Sequence, residues 1–88
     1  MAGANETETE MQLRLRRIEG QIRGIIGMLA EGKSCEQVVT QILAARAAMD
    51  RVAIEVLKCH VEETLRDAPP EQARESVLRA VELLNRVS

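Results

Sequence analysis

Two side chains in this sequence carry the chemistry that a sensor or a catalyst needs: the thiol of Cys35 and the imidazole of His60. A thiolate binds soft metals and attacks electrophiles. The start of a helix, with its unpaired N–H groups and positive dipole end, favours that form. Cys35 stands at about the first position of an expected helix, and His60 stands near the far end of the same helix. Alone, neither makes a site. Free cysteine is commonly a small core residue, and a lone histidine is commonly structural or at the surface. Together they are more informative. In a continuous helix rising about 1.5 Å per residue, roughly 37 Å separates them, so they cannot share a ligand within one chain. Two copies of that helix packed antiparallel would set position 35 of one beside position 60 of the other. The two-fold axis would then cross near residues 47 and 48, in the run Ala44-Ala45-Arg46-Ala47-Ala48. Small side chains there let two helices approach closely, although they suit ordinary packing equally well.

Two protein donors are few for a metal, since zinc and Cu(I) sites usually take three or four. Further donors could come from the N-terminal segment, Cys59, Glu63 or Thr64. Thr64 lies one turn beyond His60 and is a poor soft-metal ligand. Cys59 is about 100° around the helix from His60, on an apolar stripe that favours packing. A second set of residues points elsewhere. Arg14, Arg16, Arg17 and Arg23 crowd one stretch, and Arg46 and Arg51 come from the middle of the long helix. Guanidinium groups suit bidentate phosphate and guanine contacts. They could equally be a solvated face paired with Glu10 and Glu19. One chain offers few cations and its net charge is −2, so nucleic-acid binding would need several copies to build a positive face. No helix-turn-helix spacing is evident.

The elements that must position these residues read as helices. The 88 residues suit one domain, with a core so small that oligomerisation is a natural way to bury more surface. Phe, Tyr and Trp are absent. The core is therefore aliphatic, and no aromatic platform exists for stacking single-stranded bases. Residues 1–9 read as a flexible acidic tail, and residues 10–88 as a single helical domain. Met11, Leu15, Ile18, Ile22, Ile25 and Leu29 form the heptad stripe of a first helix. Gly20, Gly24 and Gly27 inside it suggest a close backbone contact, and Gly32 should end it. Ser34-Cys35-Glu36-Gln37 matches a capping box that opens a second helix from Cys35 to about Arg66. Its stripe is Val38, Ile42, Ala45, Met49, Val52, Val56 and Cys59. A second stripe of Val39, Leu43, Ile54, Leu57, Val61 and Leu65 widens the buried face. Pro69 and Pro70 break the chain. A third helix follows from about Glu71 to Val87, with Ala73, Val77, Ala80, Leu84 and Val87 inward. The fold class expected is all-α, with three helices and the middle one longest. The polar start does not read as a signal peptide, and no apolar run reaches the roughly 18 residues of a membrane span. The expectation is a cytoplasmic protein with reduced thiols.

The stretch Arg14-Leu15-Arg16-Arg17-Ile18-Glu19-Gly20-Gln21-Ile22-Arg23-Gly24-Ile25, then Cys35, Gln41-Ile42, Ala45 and His60-Val61-Glu62-Glu63, strongly resembles the CsoR/RcnR/FrmR family of bacterial repressors. The resemblance covers about residues 11 to 87. It implies a three-helix protomer, an antiparallel dimer through the second helix and a tetramer built as a dimer of dimers. It implies binding to double-stranded operator DNA that ends when a small inducer binds. It assigns DNA contact to Arg14, Arg16, Arg17 and Arg51, with Arg23 and Arg46 as further candidates, and sensing to Cys35 and His60. Copper and persulfide sensors of the family carry a second cysteine where this chain has Thr64. Nickel or cobalt sensors use additional histidines near the N-terminus and at position 64, where Gly3 and Thr64 stand. Formaldehyde sensors need only the first cysteine, crosslinked to the N-terminal amine of a neighbouring chain. Ala2 would supply that amine if Met1 is removed.

The expectation is a non-enzymatic, homotetrameric repressor with no obligatory cofactor. Its inducer is a formaldehyde-type electrophile ahead of copper or zinc acting as an effector at Cys35 and His60, with persulfide third. Two other classes remain open: a helical oligomerisation or adaptor module without DNA binding, and a thiol enzyme. The latter lacks a base and an orienting group within one chain.

Overall fold

The protein is described by a computed structural model covering residues 2–87, with side chains from Thr9 onward. Three helices follow one another: α1 (Ala2–Ala30), α2 (Cys35–Asp67) and α3 (Pro70–Val87). The tail expected over residues 1–9 meets a helix that already begins at Ala2. Residues 2–9 contain no proline and include two alanines and two glutamates. A helix nucleated by the packed turns beyond Met11 extends through such residues without needing apolar periodicity.

The connections follow from local chemistry. Gly32 adopts φ +72°. The Gly32 N–H donates to the Leu29 carbonyl at 3.2 Å and the Lys33 N–H to the Met28 carbonyl at 3.0 Å. That pair of bonds is the Schellman arrangement, which satisfies carbonyls left over at a helix end and turns the chain. Two residues later Ser34 opens α2. Its hydroxyl accepts from the Gln37 N–H at 3.2 Å, and the Gln37 side chain accepts from the Ser34 N–H at 3.3 Å. The expected capping box is therefore formed. At the other end of α2, Ala68 is extended, as a residue preceding proline should be, and Pro70 starts α3.

α2 is the centre. It packs against α1 on one flank and α3 on the other, and among the described residues α1 and α3 do not touch. The result is one layer of helices measuring 55 × 29 × 12 Å. Its radius of gyration is 17.0 Å, against about 12 Å for a compact chain of this length. Its accessible surface is 6999 Å², against about 5,200 Å² for a compact monomer of this mass. A stable domain needs a second layer over its apolar face, and this protomer does not supply one.

The apolar stripes divide accordingly. Every seventh residue is buried inside the protomer: Met11 and Ile18 on α1, Val38, Ala45 and Val52 on α2, Ala73 and Ala80 on α3. Met11, Ile18 and Val52 form one cluster, with Ala48 packed against it. The alternate heptad positions are left in solvent: Leu15, Ile22 and Leu29 on α1, Ile42, Met49 and Val56 on α2. The close contact expected at Gly20, Gly24 and Gly27 is not made within the protomer. A Cβ at any of them would meet nothing within 4 Å, because the chain has no further helix to lay over that face.

A Cβ at Gly32 also meets open space, so the cost of substitution there lies in the backbone alone. Gly32→Ala should lower stability by about 1–2 kcal/mol, read as a lower denaturation midpoint at unchanged slope. An unchanged midpoint would show that this turn does not hold its left-handed geometry.

Candidate sensing site and basic face

The capping box fixes where Cys35 sits. Ser34 takes the N-cap, so Cys35 is the first residue of α2, and its side chain is exposed beside backbone N–H groups that have no intrahelical acceptor. His60 lies seven turns further along the same unbroken helix and is also exposed. The expected separation within one chain, roughly 37 Å, therefore follows from α2 being continuous. Cys59 is half-buried and continues the every-seventh series of Val38, Ala45 and Val52, which is a packing position. Both cysteines are free thiols. Of Ala2 the structure gives only the backbone, as the first residue of α1.

His60 has a partner that sequence reasoning missed. Its Nε2 lies 3.0 Å from Ser76 Oγ, which reaches across from α3. Ser76 Oγ also donates to Thr64 Oγ1 at 3.4 Å. Thr64 in turn donates to the carbonyl of His60 at 2.8 Å. Thr64 is thus engaged by its neighbours rather than projecting as a bare donor. No sequence signal marks Ser76, which the fold makes a half-buried polar residue of α3 between the buried Ala73 and Ala80. Among the described residues, no group of three His, Cys, Asp or Glu side chains could hold a metal ion. Cys35 and His60 are suitable soft and borderline donors, but a metal could use both only if a second chain brings them together.

The arginines form a separate region. The Met11–Ile18–Val52 cluster sets the α1 turns that carry Arg14 and Arg17 against the α2 turn that carries Arg51. Arg14 is half-buried and pairs with Glu10 at 3.9 Å, one helical turn away. Arg16, Arg17, Arg23, Arg46 and Arg51 are exposed, and none has a carboxylate within 4.0 Å among the described residues. The expected pairing of this stretch with Glu10 and Glu19 is therefore confined to Arg14, which leaves most of its guanidinium groups free for another anion. None of the described helices is long and apolar enough to cross a membrane.

Residues 7–86 match the family model described as a metal-sensitive transcriptional repressor. The chain is 37% identical over 65 residues to the copper-sensing transcriptional repressor CsoR of Bacillus subtilis, an alignment covering 74% of this chain and 64% of that protein. It is 42% identical over 59 residues to the copper-sensing transcriptional repressor RicR of Mycobacterium tuberculosis, covering 67% of this chain and 62% of that protein. The matches thus span less than two thirds of either relative. Among solved structures, a variant of the formaldehyde-responsive regulator FrmR from Salmonella enterica serovar Typhimurium superposes with a TM-score of 0.79 at 26% identity, covering 94% of this chain and 96% of that one.

The two thiols differ in exposure, and native-state alkylation should reflect it. A small maleimide or iodoacetamide should modify Cys35 well before Cys59 when modified peptides are followed by mass spectrometry. Equal rates would mean that α2 opens around Cys59 in solution.

Proposed function

The chain belongs to the metal-sensitive transcriptional repressor family, and on that premise we propose that it holds operator DNA until an inducer bridges Cys35 of one protomer and His60 of an antiparallel partner. The family is one of transcriptional regulators and not of enzymes. In this reading the protomers pair through α2 and the pairs associate into a tetramer, which covers the exposed apolar stripes of a one-helix-thick layer. Arg14, Arg16, Arg17 and Arg51 contact the duplex, with Arg23 and Arg46 beside them. The inducer changes the α2 pair and disfavours the DNA-competent shape, a coupling between two sites through a shared two-state element. The observation that carries the proposal is the placement of the exposed thiol and the imidazole at opposite ends of one uninterrupted helix.

For the inducer we place a formaldehyde-type electrophile ahead of copper or zinc. Thr64 occupies the position where a second soft donor would help a metal, and its hydroxyl is hydrogen-bonded to the His60 carbonyl and to Ser76. Formaldehyde needs only a thiol and an amine. The Cys35 sulfur and the amine nitrogen each bond the carbonyl carbon, and the carbonyl oxygen leaves as water with the two displaced protons. If Met1 is removed, the amine is that of Ala2. α1 runs antiparallel to α2, so its start lies toward the His60 end of the protomer, the end to which an antiparallel partner brings its own Cys35. The copper-sensing names of two relatives favour the metal reading instead. There, a Cys35 thiolate and a His60 imidazole from two chains would hold the ion.

Two measurements test this. Binding to the protein's own promoter region in a mobility-shift assay should weaken with salt. Arg17→Ala or Arg51→Ala should flatten that salt dependence by about 0.9 in log–log slope for each phosphate the variant no longer neutralises. Absence of any salt-dependent duplex binding would favour an adaptor module. Release should then be titrated with formaldehyde, Cu(I), Zn(II), Ni(II) and a persulfide donor on wild type, Cys35→Ala and His60→Ala. We expect formaldehyde to release DNA and to add the mass of one carbon at Cys35, and Cys35→Ala to abolish both effects. Release by a metal with formaldehyde inert would reverse the order of inducers.

A further inference from the structure

One arginine of the basic face already holds an anion. Arg16, Arg17, Arg23, Arg46 and Arg51 have no carboxylate within 4.0 Å among the described residues, whereas Arg14 Nη2 lies 3.9 Å from Glu10 Oε1. Arg14 is also the half-buried member of the set. It is flanked, three residues back and four residues on, by Met11 and Ile18 of the core cluster, so its stem has less room to swing than those of its exposed neighbours. Glu10, Arg14 and Arg17 follow one another at steps of four and three along one row of α1. Opposite charges one turn apart stabilise a helix modestly, and that role involves no DNA. The consequence for binding comes from linkage. Whatever the pair contributes to the free protein is forfeited when a phosphate takes the guanidinium, and the carboxylate left behind then stands one turn from that phosphate.

We propose that Glu10 is an intramolecular rival of the DNA backbone: its carboxylate holds the Arg14 guanidinium in the free protein and so weakens duplex binding through that one arginine. This rests on the reading of Arg14 as a DNA contact and adds to it a residue that limits the contact. Glu6 stands a further turn back on the same row of α1, which keeps negative charge at that end of the helix. A limited grip suits a repressor that must let go. An inducer shifts DNA binding only by its differential affinity for the two states, so each loss of grip at Arg14 reduces the shift required.

The test uses the full chain and a duplex of its own promoter region, in mobility-shift assays over a series of salt concentrations. Glu10→Gln should bind about two- to fivefold more tightly for each protomer engaged. Its log–log salt dependence should steepen, by up to about 0.9 for each phosphate that Arg14 then neutralises more fully. In an Arg14→Ala background the same Glu10→Gln change should alter neither quantity, because the effect belongs to the pair. In the free protein, the Arg14 Nε–Hε NMR signal should move in Glu10→Gln while that of Arg51 stays in place. Equal tightening with and without Arg14 would make Glu10 a contributor to net charge alone and overturns the proposal, as does an Arg14 signal indifferent to Glu10→Gln. Salt-dependent binding by wild type with Glu10→Gln indistinguishable from it defeats this proposal and leaves the repressor reading standing. Absence of salt-dependent duplex binding in wild type and every variant defeats both.

Discussion

An α-helix cannot fold back on itself, and that stiffness governs this protein. α2 runs without interruption from Cys35 to Asp67, so the thiol at its start and the imidazole near its end are held apart by a rod the length of the molecule. Whatever uses both must recruit them from different chains. The same rod is the surface on which the other two helices rest, one on each flank. The separation of the thiol from the imidazole and the architecture of the protomer are therefore one property of a single element, maintained by its capping box at one end and by the proline pair at the other.

The layer around α2 explains the distribution of apolar residues. A slab 12 Å thick gives each helix an inner edge and two wide faces. Residues seven apart fill the edges, which is why Val38, Ala45 and Val52 are buried while Ile42, Met49 and Val56, a half-heptad away, are not. A coiled-coil stripe normally serves one seam. Here it serves two, one closed inside the protomer and one presented outward, where burial of aliphatic side chains is worth about 25 cal/mol per Å² of apolar surface removed from water.

Much of this was legible from residue order. The Ser34–Gln37 cap, the stop at Gly32 and the break at Pro69-Pro70 are local chemistry, and each stands within a residue or two of its expected place. The heptad stripes identified the helices but not how each stripe divides between inner and outer seams, because periodicity marks an apolar face without naming the neighbour. Gly20, Gly24 and Gly27 have the same ambiguity: small residues signal closeness without naming the neighbour, and within the protomer nothing lies at that surface. The start of α1 is not marked in the sequence, because Ala2 to Thr9 lack apolar period and include the weak helix formers Gly3, Asn5, Thr7 and Thr9; the helix there continues from the packed turns beyond Met11. At the candidate site, Cys35, His60 and the arginines are singled out by residue type. Ser76 is not, since a serine on a helix is commonplace until the fold brings it within 3.0 Å of His60.

The separation of α1 from α3 has a mechanical consequence. With no bracing strut from one outer helix to the other, the protomer is two joints in series. Within a single protomer, a displacement at the α2–α3 joint, where His60 meets Ser76, reaches the arginine-bearing α1 only as torsion or translation of the central rod. If that rod bends, the protomer holds no second route between its outer helices.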